Sequence, residues 1–145
     1  MTLRRYIDSC VVIAAFQASD PELAEAALNE IEGNHEIVVS SHFVWLEIVP
    51  KTARHGRRET LNAYLNFFEE CVDYYVLSSD QLVRRAMELA RTYALDAMDA
   101  LHVAAALEGR CDEFVTAEKP TKPFFSVREG GMVFRTIWTG GRTGH

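Results

Sequence analysis

A chain of 145 residues, 48% apolar and 25% charged, suits one globular domain with a buried core, and no apolar run reaches the ~20 residues of a membrane span. A formal net charge of −6 argues against gripping nucleic acid through a broad basic face, though not against a local basic patch. Three widely spaced cysteines, Cys10, Cys71 and Cys111, form no CxxC pair, so neither a zinc site nor a disulfide framework is expected; buried free thiols in a reducing cytoplasm are.

Along the chain, RRYID (4–8) reads as a first strand and 9–17 as a short apolar helix; "YIDSCVVIAAF" is broken by Asp8 and lacks a signal-peptide cleavage pattern. In "SDPELAEAALNEIEG", a Ser19 or Asp20 cap, Pro21 at the first helical position and Gly33 as stop predict a helix over 20–32. "HEIVVS" (35–40) reads as a strand, after which Ser40 or Ser41 caps a helix to about Arg54 that Pro50 should kink. Apolar positions 61, 64, 65, 68, 71 and 72 give one helix over 57–72, followed by a strand at 73–77. Helices are predicted over 78–95 and 96–109, strands at 112–117 and 132–137, and 1–138 forms the domain, with 139–145 a disordered tail. Strands alternating with helices imply an α/β fold, a three-layer α/β/α sandwich around a mostly parallel five-stranded sheet. In such sheets ligands bind beyond the carboxyl ends of the strands, where Asp8 and Glu118 fall.

Carboxylates stand against the local pattern at four places. Asp8 sits between a strand and an apolar helix, where it could simply cap the helix. Glu47 in "SSHFVWLEIVPK" shares a helical face with Phe43, Val44 and Leu46; a surface pair with Lys51 at i+4 would be worth only ~0.3–0.5 kcal/mol. Asp96 and Asp99 open an otherwise apolar helix and could form a capping box, and Glu118 follows a strand beside Thr116. His102 on that apolar helix reads as a core or partner-bonded histidine before it reads as a ligand. Two unit charges ~4 Å apart repel by about 4 kcal/mol at an effective dielectric of 20, so converging carboxylates call for a proton or a cation. Hard oxygen donors without a Cys or His pair suit Mg²⁺ or Mn²⁺, the ions of phosphoryl-transfer chemistry.

Asp8 in "YIDSCVVIAAF", Glu47 in "WLEIVPK", Asp99 in "MDALHVAAAL" and Glu118 in "EFVTAEKP" together resemble a PIN domain, and more closely the VapC-like toxins of prokaryotic toxin–antitoxin pairs. The similarity runs from about residue 4 to 125, and "DALHVAAA" followed by "DEFVT" is its most specific part. The resemblance implies strand order 3-2-1-4-5 and Mg²⁺- or Mn²⁺-dependent endonucleolytic cleavage of single-stranded RNA, leaving a 5′-phosphate and a 3′-hydroxyl. It also implies an antitoxin partner, while the cysteines point to the cytoplasm and the surplus of aromatics to a homodimer or an antitoxin helix. Carried over, Asp8, Glu47 and Asp99 are the core metal ligands and Asp96 a secondary residue, with Ser9 and Thr116 as hydroxyls that orient carboxylates. Where the family usually has T-x-D this chain has T-A-E, so Glu118, also placed among the catalytic and metal-binding residues, is one methylene longer, which implies either an outer-sphere role or a weakened second metal. Lys51, Arg54, Arg57, Arg58 and Lys119 are candidate RNA contacts, as is Lys122 beside Glu118. Among Tyr64, Phe67, Phe68, Tyr74 and Tyr75, most belong to the core and the excess suits a partner. The alternative is a catalytically weak PIN-fold regulator that binds RNA or protein. A phospho-accepting receiver domain fits poorly, because "DYYVLSSD" lacks the central acid it needs after the third strand.

Overall fold

The computed structural model describes residues 2–33 and 36–140; His35 of the predicted second strand and residues 141–145 of the predicted tail lie outside the described residues. Five strands, β1 (Arg4–Ile7), β2 (Ile37–Ser41), β3 (Tyr74–Val76), β4 (Glu113–Thr116) and β5 (Val133–Thr136), form a sheet in the order β3-β2-β1-β4-β5. Every neighbouring pair is parallel, so the expected order holds and the sheet is wholly rather than mostly parallel. The crossovers that parallel pairing demands are supplied by α1 (Ser9–Gln17), α2 (Pro21–Glu32), α3 (His42–Arg54), α4 (Arg58–Asn66), α5 (Asp80–Tyr93) and α6 (Ala97–Glu108). Helix α1 packs against α2, α3 and α4, while α6 packs against α5, β2 and β3, giving the expected three layers.

Local chemistry sets the helix starts. Asp20 accepts the Glu22 N–H at 3.0 Å, Ser41 the Phe43 N–H at 3.1 Å and Ser79 the Leu82 N–H at 3.1 Å. Helix α3 runs to Arg54 as expected, with Pro50 inside it. Two expectations are corrected. The single helix expected over 57–72 divides into α4 and a π-helical turn, Phe67–Cys71, closed by a 3.2 Å bond from Val72 N–H to the Phe67 carbonyl. That wider turn brings two consecutive aromatics inward: Phe67 is fully buried, and Phe68 lies 5.1 Å from it and 6.1 Å from Tyr75, centroid to centroid. Helix α5 stops at Tyr93 because Ala94 turns left-handed (φ 58°), letting Leu95 N–H reach the Ala90 carbonyl at 3.2 Å and bury its side chain.

In the core, Tyr6 lies opposite Phe114, and Phe114 opposite Phe134, across β1, β4 and β5. The ring centroids are 5.3 and 5.0 Å apart, and Phe124 from the 3₁₀ turn Pro123–Ser126 adds a contact to Phe114 at 5.3 Å. Elsewhere Arg5 pairs with Glu30, Glu36 and Glu113, and Arg135 with Glu30 and Glu113, tying α2 to β1, β4 and β5.

The three cysteines are free, and only Cys111 is buried; Cys10 and Cys71 are partly exposed, which corrects the expectation for them. Burial pushes the Cys111 thiol up to about 12, so roughly one in ten thousand of these thiols is ionised at pH 8. Iodoacetamide at that pH should therefore modify Cys71 in the native protein and reach Cys111 only after denaturation. Peptide mapping that found both labelled at the same rate would contradict this burial.

Candidate active site

Because the strands run parallel, their carboxyl ends share one edge of the sheet, and there β1 delivers Asp8, β2 Ser41 and β4 Thr116. Asp8 is buried and performs the capping role expected of it. As N-cap of α1 its Oδ1 accepts the Ser9 N–H at 2.9 Å, while Oδ2 accepts the Thr116 hydroxyl at 2.8 Å and the Cys10 thiol at 3.4 Å. The family-like hydroxyls thus orient carboxylates, since Ser9 Oγ donates to Glu47 Oε1 at 2.6 Å.

Glu47 turns to Ser9 and His102 rather than to Lys51: His102 Nε2 lies 2.6 Å from the same Oε1 and 4.0 Å from Asp8 Oδ1, so the imidazole stands between two carboxylates. Burial would push the Glu47 carboxyl up, but the bonds from His102 and Ser9 outweigh it and hold it below its ordinary value. His102 is buried, and its Nδ1 lies 2.7 Å from Tyr6 Oη, itself 2.7 Å from Ser41 Oγ. In either protonation state His102 Nε2–H donates to Glu47. With neutral imidazole Ser41 Oγ–H donates to Tyr6 and Tyr6 O–H to Nδ1; with imidazolium Nδ1–H donates to Tyr6 and Tyr6 O–H to Ser41. Burial lowers the His102 pKa, but the Glu47 bond and the charges of Asp8, Glu47 and Asp99 more than reverse this and raise it. His102 is therefore the partner-bonded core histidine expected.

Asp99, in the first turn of α6, is half-buried and its Oδ2 lies 3.1 Å from Lys122 Nζ. Burial raises its carboxyl, Lys122 opposes this, and the charges of Asp8 and Asp96 tip the result upward. Asp96 occupies the cap position of α6 but makes no side-chain cap bond, so the capping box is not formed; its would-be partner Asp99 faces Lys122. Glu118 is held by its backbone, with its N–H on Thr116 Oγ1 at 3.1 Å and its carbonyl accepting Thr136 Oγ1 at 2.6 Å. Among the described residues no group hydrogen-bonds its carboxylate.

A groove of about 330 Å³ leads from Glu47 between α1, α3 and α4, lined by Ile13, Gln17, Lys51, Arg57 and Tyr64 among others. Of the candidate RNA contacts, Lys51 and Arg57 line it; Arg54 and Arg58 are exposed outside it, and Lys119 lies over the Trp138 ring at 5.9 Å. Lys122 faces Asp99 instead of open solvent.

The chemistry of the donor set fits a hard divalent cation: Asp8, Glu47 and Asp99 offer carboxylate oxygens, and burial together with the charges of Asp8 and Asp96 raises the Asp99 carboxyl. Among the described residues no three His, Cys, Asp or Glu side chains are gathered as a metal cluster; Glu47 is turned to His102 and Asp99 to Lys122. Sequence reasoning missed Tyr6 and Ser41, whose only signal was a polar tip within an apolar strand, and the Lys122–Asp99 pair, which has no local signature at all.

The PIN domain family model matches residues 5–120. A toxin–antitoxin complex from Klebsiella pneumoniae superposes with a TM-score of 0.63 at 19% identity, covering 87% of this chain and 93% of that one. VapBC2 from Rickettsia felis, bound to a DNA fragment from its promoter, gives 0.67 at 12% identity over 92% and 98%. VapC20 from Mycobacterium tuberculosis, a sarcin–ricin loop cleaving toxin, gives 0.61 at 17% identity over 76% and 86%. No curated protein gives a significant match. The match spans the segments that carry Asp8, Glu47, Asp99 and Glu118, on a sheet of the expected order, and the chain belongs to the PIN domain family.

Proposed function

We propose that the protein is a divalent-metal-dependent endoribonuclease that cuts single-stranded RNA, as the toxin of a toxin–antitoxin pair acting in the cytoplasm. The observation that carries this reading is the buried Asp8, fixed by Ser9 and Thr116 at the carboxyl end of β1 and bridged through His102 to Glu47, with Asp99 in the first turn of α6. Asp8, Glu47 and Asp99 would hold Mg²⁺ or Mn²⁺, with Glu118 reaching in through water. When bound, such an ion supplies a water of lowered pKa and polarises the phosphate. The chain's own part is to fix the carboxylates before substrate arrives and to bind the phosphates flanking the scissile bond. Ser9, Thr116 and His102 do the first, Lys51 and Arg57 the second.

The toxin role is supported by neighbours that are complexes of toxin with antitoxin and by one that cleaves the sarcin–ricin loop. A partner surface is supported by exposed Trp45 and Leu46 on α3, and by Leu77 and Met87 near β3 and α5. Among the described residues no helix is long and apolar enough to cross a membrane. The weak-enzyme alternative is favoured by Glu118 standing in T-A-E and by the engagement of Asp99 with Lys122.

Purified protein is expected to cleave single-stranded RNA with Mg²⁺ or Mn²⁺, to stop on chelation, and to slow at least ~100-fold as Asp99→Asn, about 2.7 kcal/mol of barrier. If no single-stranded RNA is cut with either ion, or the variant matches the wild type, the binding regulator replaces the nuclease.

A further inference from the structure

The acidic cluster divides into two differently neutralised halves. On one side Asp8 and Glu47 share Ser9 and flank His102, Asp8 also accepts from Thr116, and among the described residues no lysine or arginine meets either carboxylate. On the other, Asp99 is met by an ammonium group at 3.1 Å, and Glu118 has no hydrogen-bonding partner for its carboxylate among the described residues. We propose that Lys122 is a built-in counter-cation, bringing to Asp99 and Glu118 the positive charge that a second divalent ion would otherwise supply, so that the site takes up one such ion and not two. This rests on the metal-dependent reading above.

Three features make Lys122 more than a surface lysine that happens to lean on an acid. Its backbone is fixed, because it begins the Pro123–Ser126 turn with its N–H on the Lys119 carbonyl at 3.1 Å and its own carbonyl accepting Phe125 N–H at 3.1 Å. Phe124, fully buried two residues on, anchors that turn in the aromatic core, and the Lys122 ammonium passes over its ring at 5.9 Å. The segment "EKPTKPFF" is stiffened by Pro120 and Pro123, so little chain freedom is lost in presenting the ammonium. The longer Glu118 belongs to the same arrangement. A carboxylate one methylene farther out suits a lysine charge already in place better than a tightly coordinated small ion, which demands close oxygen geometry. An ammonium beside Asp99 also repels a second dication on its Glu118 side, so uptake stops at the one ion that Asp8, Glu47 and Asp99 would hold.

The test counts bound Mn²⁺ per folded chain, by electron paramagnetic resonance of the free ion, for wild type, Lys122→Met and Lys122→Arg. Circular dichroism and thermal melting show that each variant is folded. Expected are one ion for the wild type and the arginine variant and two for the methionine variant, whose stem fills the same space without charge. Two ions in the wild type, or equal numbers in wild type and Lys122→Met, would overturn the role of Lys122 while leaving the nuclease reading intact. No bound Mn²⁺ in any of the three would overturn the metal-dependent reading, and this inference with it. Should the methionine variant misfold, Lys122→Gln takes its place with the same expected count of two.

Discussion

Asp8→Asn should lower RNA cleavage by at least ~100-fold, about 2.7 kcal/mol of transition-state stabilisation, in a protein that stays folded. The substitution keeps the shape and the cap. Asn Oδ1 still accepts the Ser9 N–H, and Nδ2 can donate to Thr116 Oγ1, whose hydroxyl proton then turns to Cys10 Sγ, 3.3 Å away. What is lost is the negative charge nearest the centre of the cluster, and with it the strongest reason for a cation to sit there. Removing that charge also relieves the repulsion that Asp8 exerts on Asp99, so the melting temperature should hold or rise. A denaturing gel for cleavage and a thermal melt for folding check both halves. Cleavage above a tenth of wild type would remove Asp8 from the centre of the mechanism, and a collapsed melt would make it a structural residue only.

Phe114→Ala should cost about 3–5 kcal/mol, the usual penalty for emptying a well-packed aromatic site, and lower the melting temperature by roughly 10–15 °C. Phe114 is fully buried at the centre of the row formed with Tyr6, Phe134 and Phe124. Domains of this size are stable by only about 5–15 kcal/mol, so such a loss is a large part of the whole. The damage should reach the active site as well, because the ring that holds Tyr6 in place also holds the hydroxyl that bonds His102, and His102 bonds Glu47. Chemical denaturation measures the first effect. A loss under 1 kcal/mol would show that this aromatic row is not the centre of the core.

What could be read from the sequence followed how local its physics was. The Asp20–Pro21–Gly33 frame gave the bounds of α2, because caps and stops act within one turn. Asp8 and Asp99 stood out because a charge against an apolar run is visible without any partner. Glu47 was harder. The i+4 lysine is the only candidate that sequence spacing can offer, whereas its actual partners, Ser9 and His102, are 38 and 55 residues away and meet it only once β1, β2 and α6 are assembled. The same distance hid the Lys122–Asp99 pair and the polar chain through Tyr6 and Ser41. The π-helical turn was invisible for another reason: apolar spacing over 61–72 suits a regular helix, and only packing of Phe67 and Phe68 together selects the wider one.

The sheet ends in two modest strands. β3 contributes three residues, and β5 four, with Arg135 committed to Glu30 and Glu113 in mid-strand. Neither offers the long, uncharged backbone ladder on which another chain could add a strand. Strand addition at either edge is therefore disfavoured, and crowding such a protein at high concentration should not yield fibrils.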